Sequence, residues 1–150
     1  MLLSKKTLSP DRIKELNSFA KGISIKFSNL NLLQLAFTHR SFSNEGNAKK
    51  SENNERLEFL GDSVLGMATA TYLYEHFYEN AEGDLAKIKS FVVSEQSLGP
   101  IGLKIGIDKM LILGKGEEMS GGRTKRAILA DAVEAVIGAY YLDSGYKAAE

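Results

Sequence analysis

Apolar positions along this 150-residue chain recur at spacings of three and four, segment after segment. That is the period of helices burying one face. Ser9-Pro10-Asp11 predicts a helix start: a capping serine, proline at the first helical position, and an acid in the first turn. Ile13, Leu16 and Phe19 carry the stripe to about Lys21, and Gly22 is expected to end it. Residues 1–8 read as loose and 23–29 as a short connection. Leu32, Leu33, Leu35, Ala36 and Phe37 predict a mostly buried helix over 29–38. The polar run 43–53, with Lys49 and Lys50, has no periodicity and reads as an exposed, mobile loop.

An apolar segment with acids in it follows, and its pattern predicts a helix from 54 to about 77. Leu57, Leu60 and Val64 share one face, and Glu55, Glu58 and Asp62 share another at the i, i+3, i+7 spacing. Gly61 and Gly66 each lower helix propensity by about 1 kcal/mol relative to alanine, so they point to close approach of another backbone. Residues 78–83 read as a turn and 84–97 as a helix, with a further short helix to about 102–105. Residues 106–113 read as a connector. Residues 114–124, rich in glycine and charge, read as a flexible basic loop. The segment 127–144 is apolar nearly all round and predicts a central, buried helix, interrupted only by Asp131 and Glu134 at i and i+3. No Val/Ile/Thr-rich alternating run bounded by turn pairs occurs, so the expected fold is all-α.

Three carboxylates on one stripe repel one another, and apolar neighbours that exclude water make this worse. The acidic helix therefore reads as half of a cation site. The apolar helix with Asp131 and Glu134 supplies the other half. Four carboxylates without cysteine or histidine favour Mg²⁺ or Mn²⁺. Such an ion activates water and stabilises a leaving oxyanion, as phosphodiester hydrolysis requires. The plainer alternative for any single acid is a cap, an arginine pair or a solvated helix face.

Composition narrows the picture. The chain has no cysteine, which excludes disulfides, thiolate sites and a cysteine nucleophile. The first six residues lack the apolar core of a signal peptide, and no apolar run reaches membrane-spanning length. The net charge is zero but unevenly spread: residues 1–50 carry nine Lys/Arg against three Asp/Glu, and residues 51–100 carry three against nine. A basic first third beside an acidic middle fits a phosphate-binding surface around a cation site, or simply solvated charge of both signs. Neither His39 nor His76 follows a glutamate at i−3, so a Glu-x-x-His di-iron pattern is missing. Gly114-Lys115-Gly116 does not complete a phosphate loop. His39 reads as structural packing or a backbone hydrogen bond, and His76 as a surface or capping residue.

The run Asn54-Glu55-Arg56-Leu57-Glu58-Phe59-Leu60-Gly61-Asp62-Ser63-Val64-Leu65 resembles the signature of ribonuclease III, the double-stranded-RNA endonuclease. Thr38-His39-Arg40-Ser41-Phe42 upstream is similar to another block of that family. So is Gly121-Gly122-Arg123 with Leu129-Ala130-Asp131-Ala132-Val133-Glu134-Ala135 downstream, in the same order. The resemblance implies an all-α endonuclease domain over 1–150 working as a symmetric homodimer. It would cut double-stranded RNA to 5′-phosphate and 3′-hydroxyl ends with a short 3′ overhang, in the cytoplasm, in processing of ribosomal RNA precursors and other transcripts. By the resemblance Glu58, Asp62, Asp131 and Glu134 bind Mg²⁺ (or Mn²⁺ in its place), Asp62 and Glu134 being the catalytic pair. Glu55 lies at the edge of the site, and Glu95 falls where some members carry another acid. Phe59 matches an aromatic that inserts into the partner subunit, and Arg40 and Arg123 are candidate RNA contacts. The final helix is expected to be incomplete, and the linked double-stranded-RNA-binding domain absent, as in a shortened form of a longer protein. A non-catalytic RNA-binding module and a different small phosphohydrolase are the competing functions.

Overall fold

A computed structural model describes residues 7–47 and 52–150, and among these the chain is helical, with one isolated parallel bridge between Thr38 and Ile112. The elements are α1 (Pro10–Gly22), α2 (Leu30–Ala36), α3 (Arg40–Phe42), α4 (Glu55–His76), α5 (Glu82–Val92), α6 (Glu95–Lys104), α7 (Ile107–Met110), α8 (Lys115–Met119), α9 (Arg126–Ser144) and α10 (Tyr146–Ala149). A π turn (Ser43–Asn47) follows α3, and a 3₁₀ turn (Gly122–Thr124) follows α8.

The molecule is built around α9. Its Ile128, Leu129, Ala130, Ala132, Val133, Ala135, Val136 and Ala139 are buried, as a helix apolar nearly all round must be. Helices α2, α4 and α6 pack on it. Small residues set the approach of two of them. On α6, a Cβ at Gly102 would stand 3.1 Å from the Leu129 carbonyl oxygen and 3.1 Å from Val133. On α4, Gly61 meets the α9 backbone directly. The first helix starts as the sequence predicts, with the Ser9 side chain accepting from the Arg12 N–H at 3.2 Å. Its Phe19 ring packs edge-on against Phe37, centroids 5.0 Å apart.

Several local expectations are corrected. Helix α1 does end at Gly22 as expected, but the left-handed residue beyond it is Ser24 (φ 61°). The helix expected over 84–97 is two helices, broken where the Ser94 side chain accepts from the Ser97 N–H and caps α6. The 106–113 connector contains α7 and the strand-like residue Ile112, which bonds the Phe37 carbonyl at 2.8 Å and the His39 N–H at 3.0 Å. The flexible loop expected at 114–124 is ordered as α8 and the 3₁₀ turn. Its order comes from distant chain: Glu45 accepts from the Lys115 and Gly116 N–H groups at 2.8 and 3.0 Å, and the Gly114 N–H donates to Ser41 Oγ at 2.9 Å. The loop expected over 43–53 is a π turn at its start and ends in buried Asn53 and Asn54; residues 48–51 lie outside the described residues. Gly66 meets no backbone, only the Lys89 side chain at 3.6 Å. Leu60 is only partly buried beside Leu57 and Val64.

Candidate active site

The site lies where α4 crosses α9. A Cβ at Gly61 would stand 2.6 Å from the Glu134 carbonyl carbon and 3.0 Å from the Gly138 nitrogen, and closer still to the Glu134 carbonyl oxygen. A Cβ at Gly138 would stand 3.0 Å from the Gly61 nitrogen. The two glycines face each other, and only their missing side chains let the helix backbones touch. Glu58 and Asp62 flank Gly61 on α4, and Glu134 lies one turn before Gly138 on α9, with Asp131 three residues earlier. The crossing therefore places both acid pairs in one electrostatic field.

That field shows in the acidities. Glu134 is pushed up to about 7, first by burial and then by the charges of Asp62, Glu58 and Asp131. Glu58 is raised by burial and then by Asp131, Glu55 and Asp62. Asp131 is raised by burial and then by Glu95 and Glu55. Glu55 and Glu95, read as auxiliary acids, thus bear on Asp131 from α4 and α6. Arg40 opposes the rise at Glu58 and Asp131, but its ion pair, at 3.4 Å, is with Glu55. Among the described residues none of Glu58, Asp62, Asp131 and Glu134 has an ion-pair partner.

An all-carboxylate set whose members repel one another and lack ion-pair partners is the donor chemistry that suits a hard divalent cation. The set is not closed as it stands: among the described residues no three His, Cys, Asp or Glu side chains converge tightly enough to hold an ion. Asp62 is exposed while the other three are half-buried, so side-chain rotation on fixed helices would be needed to bring the oxygens together.

Beside the acids opens a cleft of about 420 Å³, lined by His39, Arg40, Asn54, Glu55, Glu58, Glu117, Lys125 and Asp131, among others. Nothing in the local pattern marked Glu117 or Lys125, which pair at 2.6 Å, because α8 owes its place to the distant Glu45 and Ser41 bonds. Asn54 had a signal, standing immediately before the acidic helix. It is buried, its side chain donates to the Ala36 carbonyl at 3.2 Å, and its N–H donates to the Thr38 carbonyl at 2.8 Å, fixing the start of α4.

The remaining candidates lie as follows. Arg40 is exposed at the cleft rim. The Arg123 guanidinium is engaged by Glu118 and by the Asp108 and Leu111 carbonyls at 2.6 and 3.0 Å, so it braces α7 and α8. Phe59 is 78% exposed, which removes it from the core. His39 is buried and caps α3, and His76 stacks on Tyr72 at the surface.

Residues 29–150 match the family model described as Ribonuclease-III-like. The chain is 60% identical over 146 residues to ribonuclease 3 of Treponema denticola, covering 97% of this chain and 59% of that protein. It is 49% identical over 142 residues to ribonuclease 3 of Borreliella burgdorferi, covering 95% of this chain and 58% of that protein. It thus spans somewhat under three-fifths of the length of these curated relatives. Its fold matches a solved nuclease domain of ribonuclease III from Campylobacter jejuni, with a TM-score of 0.83 and 40% identity over 89% of this chain and 90% of that one. That structure is described for flexibility in a region involved in dimer formation. The two acid pairs at the α4–α9 crossing thus sit in a chain that belongs to the ribonuclease III family.

Proposed function

We propose that this chain is an endonuclease that hydrolyses phosphodiester bonds of double-stranded RNA with a divalent metal, Mg²⁺ or Mn²⁺ in its place. The observation that carries the proposal is the crossing of α4 and α9 at Gly61 and Gly138, which brings four carboxylates into one field, none of them with an ion-pair partner among the described residues. Glu58, Asp62, Asp131 and Glu134 would hold the metal, with Asp62 and Glu134 indispensable. When bound, the cation lowers the pKa of a coordinated water and neutralises charge on the phosphate. The protein's own contribution is positional. The glycine contact fixes the spacing of the two helices, and buried Asn54 fixes where α4 begins. Glu55 and Glu95 add negative potential beside Asp131 and strengthen its demand for a cation. Glu134, raised to about 7, is only partly ionised at neutral pH, and a metal ion would displace the remaining proton.

The working unit is a homodimer. Phe59, exposed one residue from Glu58, reaches a second copy of the chain, so that two sites each cut one strand. The products carry 5′-phosphate and 3′-hydroxyl ends with a short 3′ overhang, and the substrates are ribosomal RNA precursors and other transcripts in the cytoplasm. Among the described residues no helix is long and apolar enough to cross a membrane. Residues 1–150 form the nuclease domain of this reading. Duplex RNA is met through shape, 2′-hydroxyls and phosphates, with Arg40 at the cleft rim as a contact. Affinity should fall steeply with salt, because phosphate contacts dominate it.

The test is incubation of a long RNA duplex with the protein in Mg²⁺, in Ca²⁺ and in chelator, followed by end analysis. Short duplex products with 5′-phosphates in Mg²⁺ alone support the reading. A duplex bound but uncut in Mg²⁺ identifies a non-catalytic RNA-binding module instead. Hydrolysis of nucleotides but not of duplex identifies a different phosphohydrolase.

A further inference from the structure

His39 is a buried titratable group with no part in the metal chemistry. It is only 8% exposed, and it lines the cleft that Glu58 and Asp131 also line. Its Nδ1 is committed. The Ser41 N–H donates to it at 3.3 Å, and Ser41 Oγ lies 2.8 Å away while itself accepting from the Gly114 N–H at 2.9 Å. A backbone N–H can only donate, so Nδ1 presents its lone pair and the ring proton sits on Nε2. Nε2 has no hydrogen-bond partner among the described residues. Burial disfavours the imidazolium and lowers the pKa of the ring, in the same sense as the neutral tautomer set by the hydrogen bonds. The Gly114–Ser41–His39 relay thus leaves the N–H on Nε2 of a histidine that lines the cleft.

The lining decides what that donor meets. Lys125 is taken by Glu117 at 2.6 Å and Arg40 by Glu55 at 3.4 Å. Both basic side chains of the lining are thus paired with carboxylates, and the His39 N–H is a neutral donor among them. A group that both accepts and donates fits a neutral N–H beside carboxylate oxygens, and a hydroxyl is such a group. In an RNA duplex the 2′-hydroxyls line the wide, shallow minor groove and distinguish RNA from DNA. We propose that His39 Nε2–H, with the carboxylates of the cleft, recognises the ribose 2′-hydroxyl of a nucleotide flanking the cut. The cleft shares Glu58 and Asp131 with the acid site, so that nucleotide is a near neighbour of the scissile bond. This inference rests on the duplex-RNA reading above.

The test places a single 2′-deoxy substitution at each nucleotide flanking the cut in turn and measures kcat/KM in Mg²⁺. For the unaltered protein, one position should show a fall of roughly five- to tenfold, the loss of one hydrogen bond. His39→Phe should cut the all-ribose duplex more slowly by a similar factor and show no further penalty at that position. His39→Gln, which keeps an N–H donor, should retain part of the discrimination. Ser41→Ala removes the hydroxyl beside Nδ1 but keeps the backbone N–H that sets the tautomer, so it should retain the discrimination. Undiminished discrimination in His39→Phe, or an unaltered protein indifferent to 2′-deoxy at every position, overturns the inference. An all-ribose duplex left uncut removes both this inference and the reading of the reaction, whereas cutting that ignores the 2′ position removes this one alone.

Discussion

Replacing Gly61 with alanine inserts a methyl group where α4 touches α9. The new carbon would stand 2.6 Å from the Glu134 carbonyl carbon, closer still to its oxygen, and 3.0 Å from the Gly138 nitrogen. All three are backbone atoms, so no side-chain rotation relieves the overlap. The helices must part by roughly 1 Å or more, in an interior packed like a crystal. Overpacking of this kind costs about 1–3 kcal/mol where side chains can yield, and a rigid backbone contact belongs at or above the top of that range. Alanine returns about 1 kcal/mol of helix propensity, leaving a net loss of about 2–3 kcal/mol. For a chain of this length that lowers Tm by roughly 5–10 °C. Gly66→Ala on the same helix is the control: its methyl meets only the movable Lys89 side chain at 3.6 Å. It should be neutral or raise stability by up to about 1 kcal/mol. Melting followed by circular dichroism reads both. Parting the helices also separates Glu58 and Asp62 from Asp131 and Glu134, and a misplacement of about 1 Å is worth roughly a hundredfold in kcat. A Gly61→Ala protein that melts with the wild type, or a Gly66→Ala protein equally damaged, would refute the backbone-contact account.

Other consequences are simpler to state. The folded protein holds the Glu134 proton up to about 7, whereas an ordinary glutamate gives it up near 4.5. Between those values the folded state binds the extra proton, so this group's contribution to metal-free stability is full at low pH and is lost as pH rises through about 7. Glu134→Gln should therefore be more stable than the parent at pH 8 without metal, by about 1 kcal/mol after allowing for solvent screening, and should lose that advantage at pH 5. A stability difference between the two proteins that does not change with pH would contradict the raised pKa of Glu134. Phe59→Ala should leave the melting of the single chain nearly unchanged, because the ring is 78% exposed there. In sedimentation it should weaken self-association roughly thirtyfold or more, as loss of an aromatic interface anchor does; undiminished dimerisation would remove Phe59 from the interface.

The long elements were legible because their pattern is local. The apolar character of α9 and the stripes of α1 and α4 can be read from a few turns of helix, and so can the pairing of Glu58 with Asp62 and of Asp131 with Glu134. Gly61 announced a close backbone approach and Gly66 gave the same signal falsely, because propensity alone cannot tell a backbone neighbour from a lysine stem. What could not be read depends on distant chain. The segment from Gly114 onward has the composition of a flexible loop, yet Glu45 caps α8 from seventy residues away and Ser41 ties down Gly114. That bracing puts Glu117 in the cleft, and the same segment turns Arg123 into an internal brace. The break between α5 and α6 did carry a signal, a serine followed at once by a glutamate, but the apolar run on either side of Ser94 concealed it. Phe59 lies in an apolar stretch, and only the structure shows which face α9 leaves uncovered.

The central claim, that the carboxylates of α4 and α9 act together on duplex RNA, is tested most directly by one cleavage comparison. Wild type, Asp62→Asn and Glu134→Gln, each confirmed folded, are given the same RNA duplex at the same Mg²⁺ concentration. The wild type should cut rapidly, and kcat should fall at least about a thousandfold in each variant, one acid coming from each helix. Full activity in either variant would contradict it.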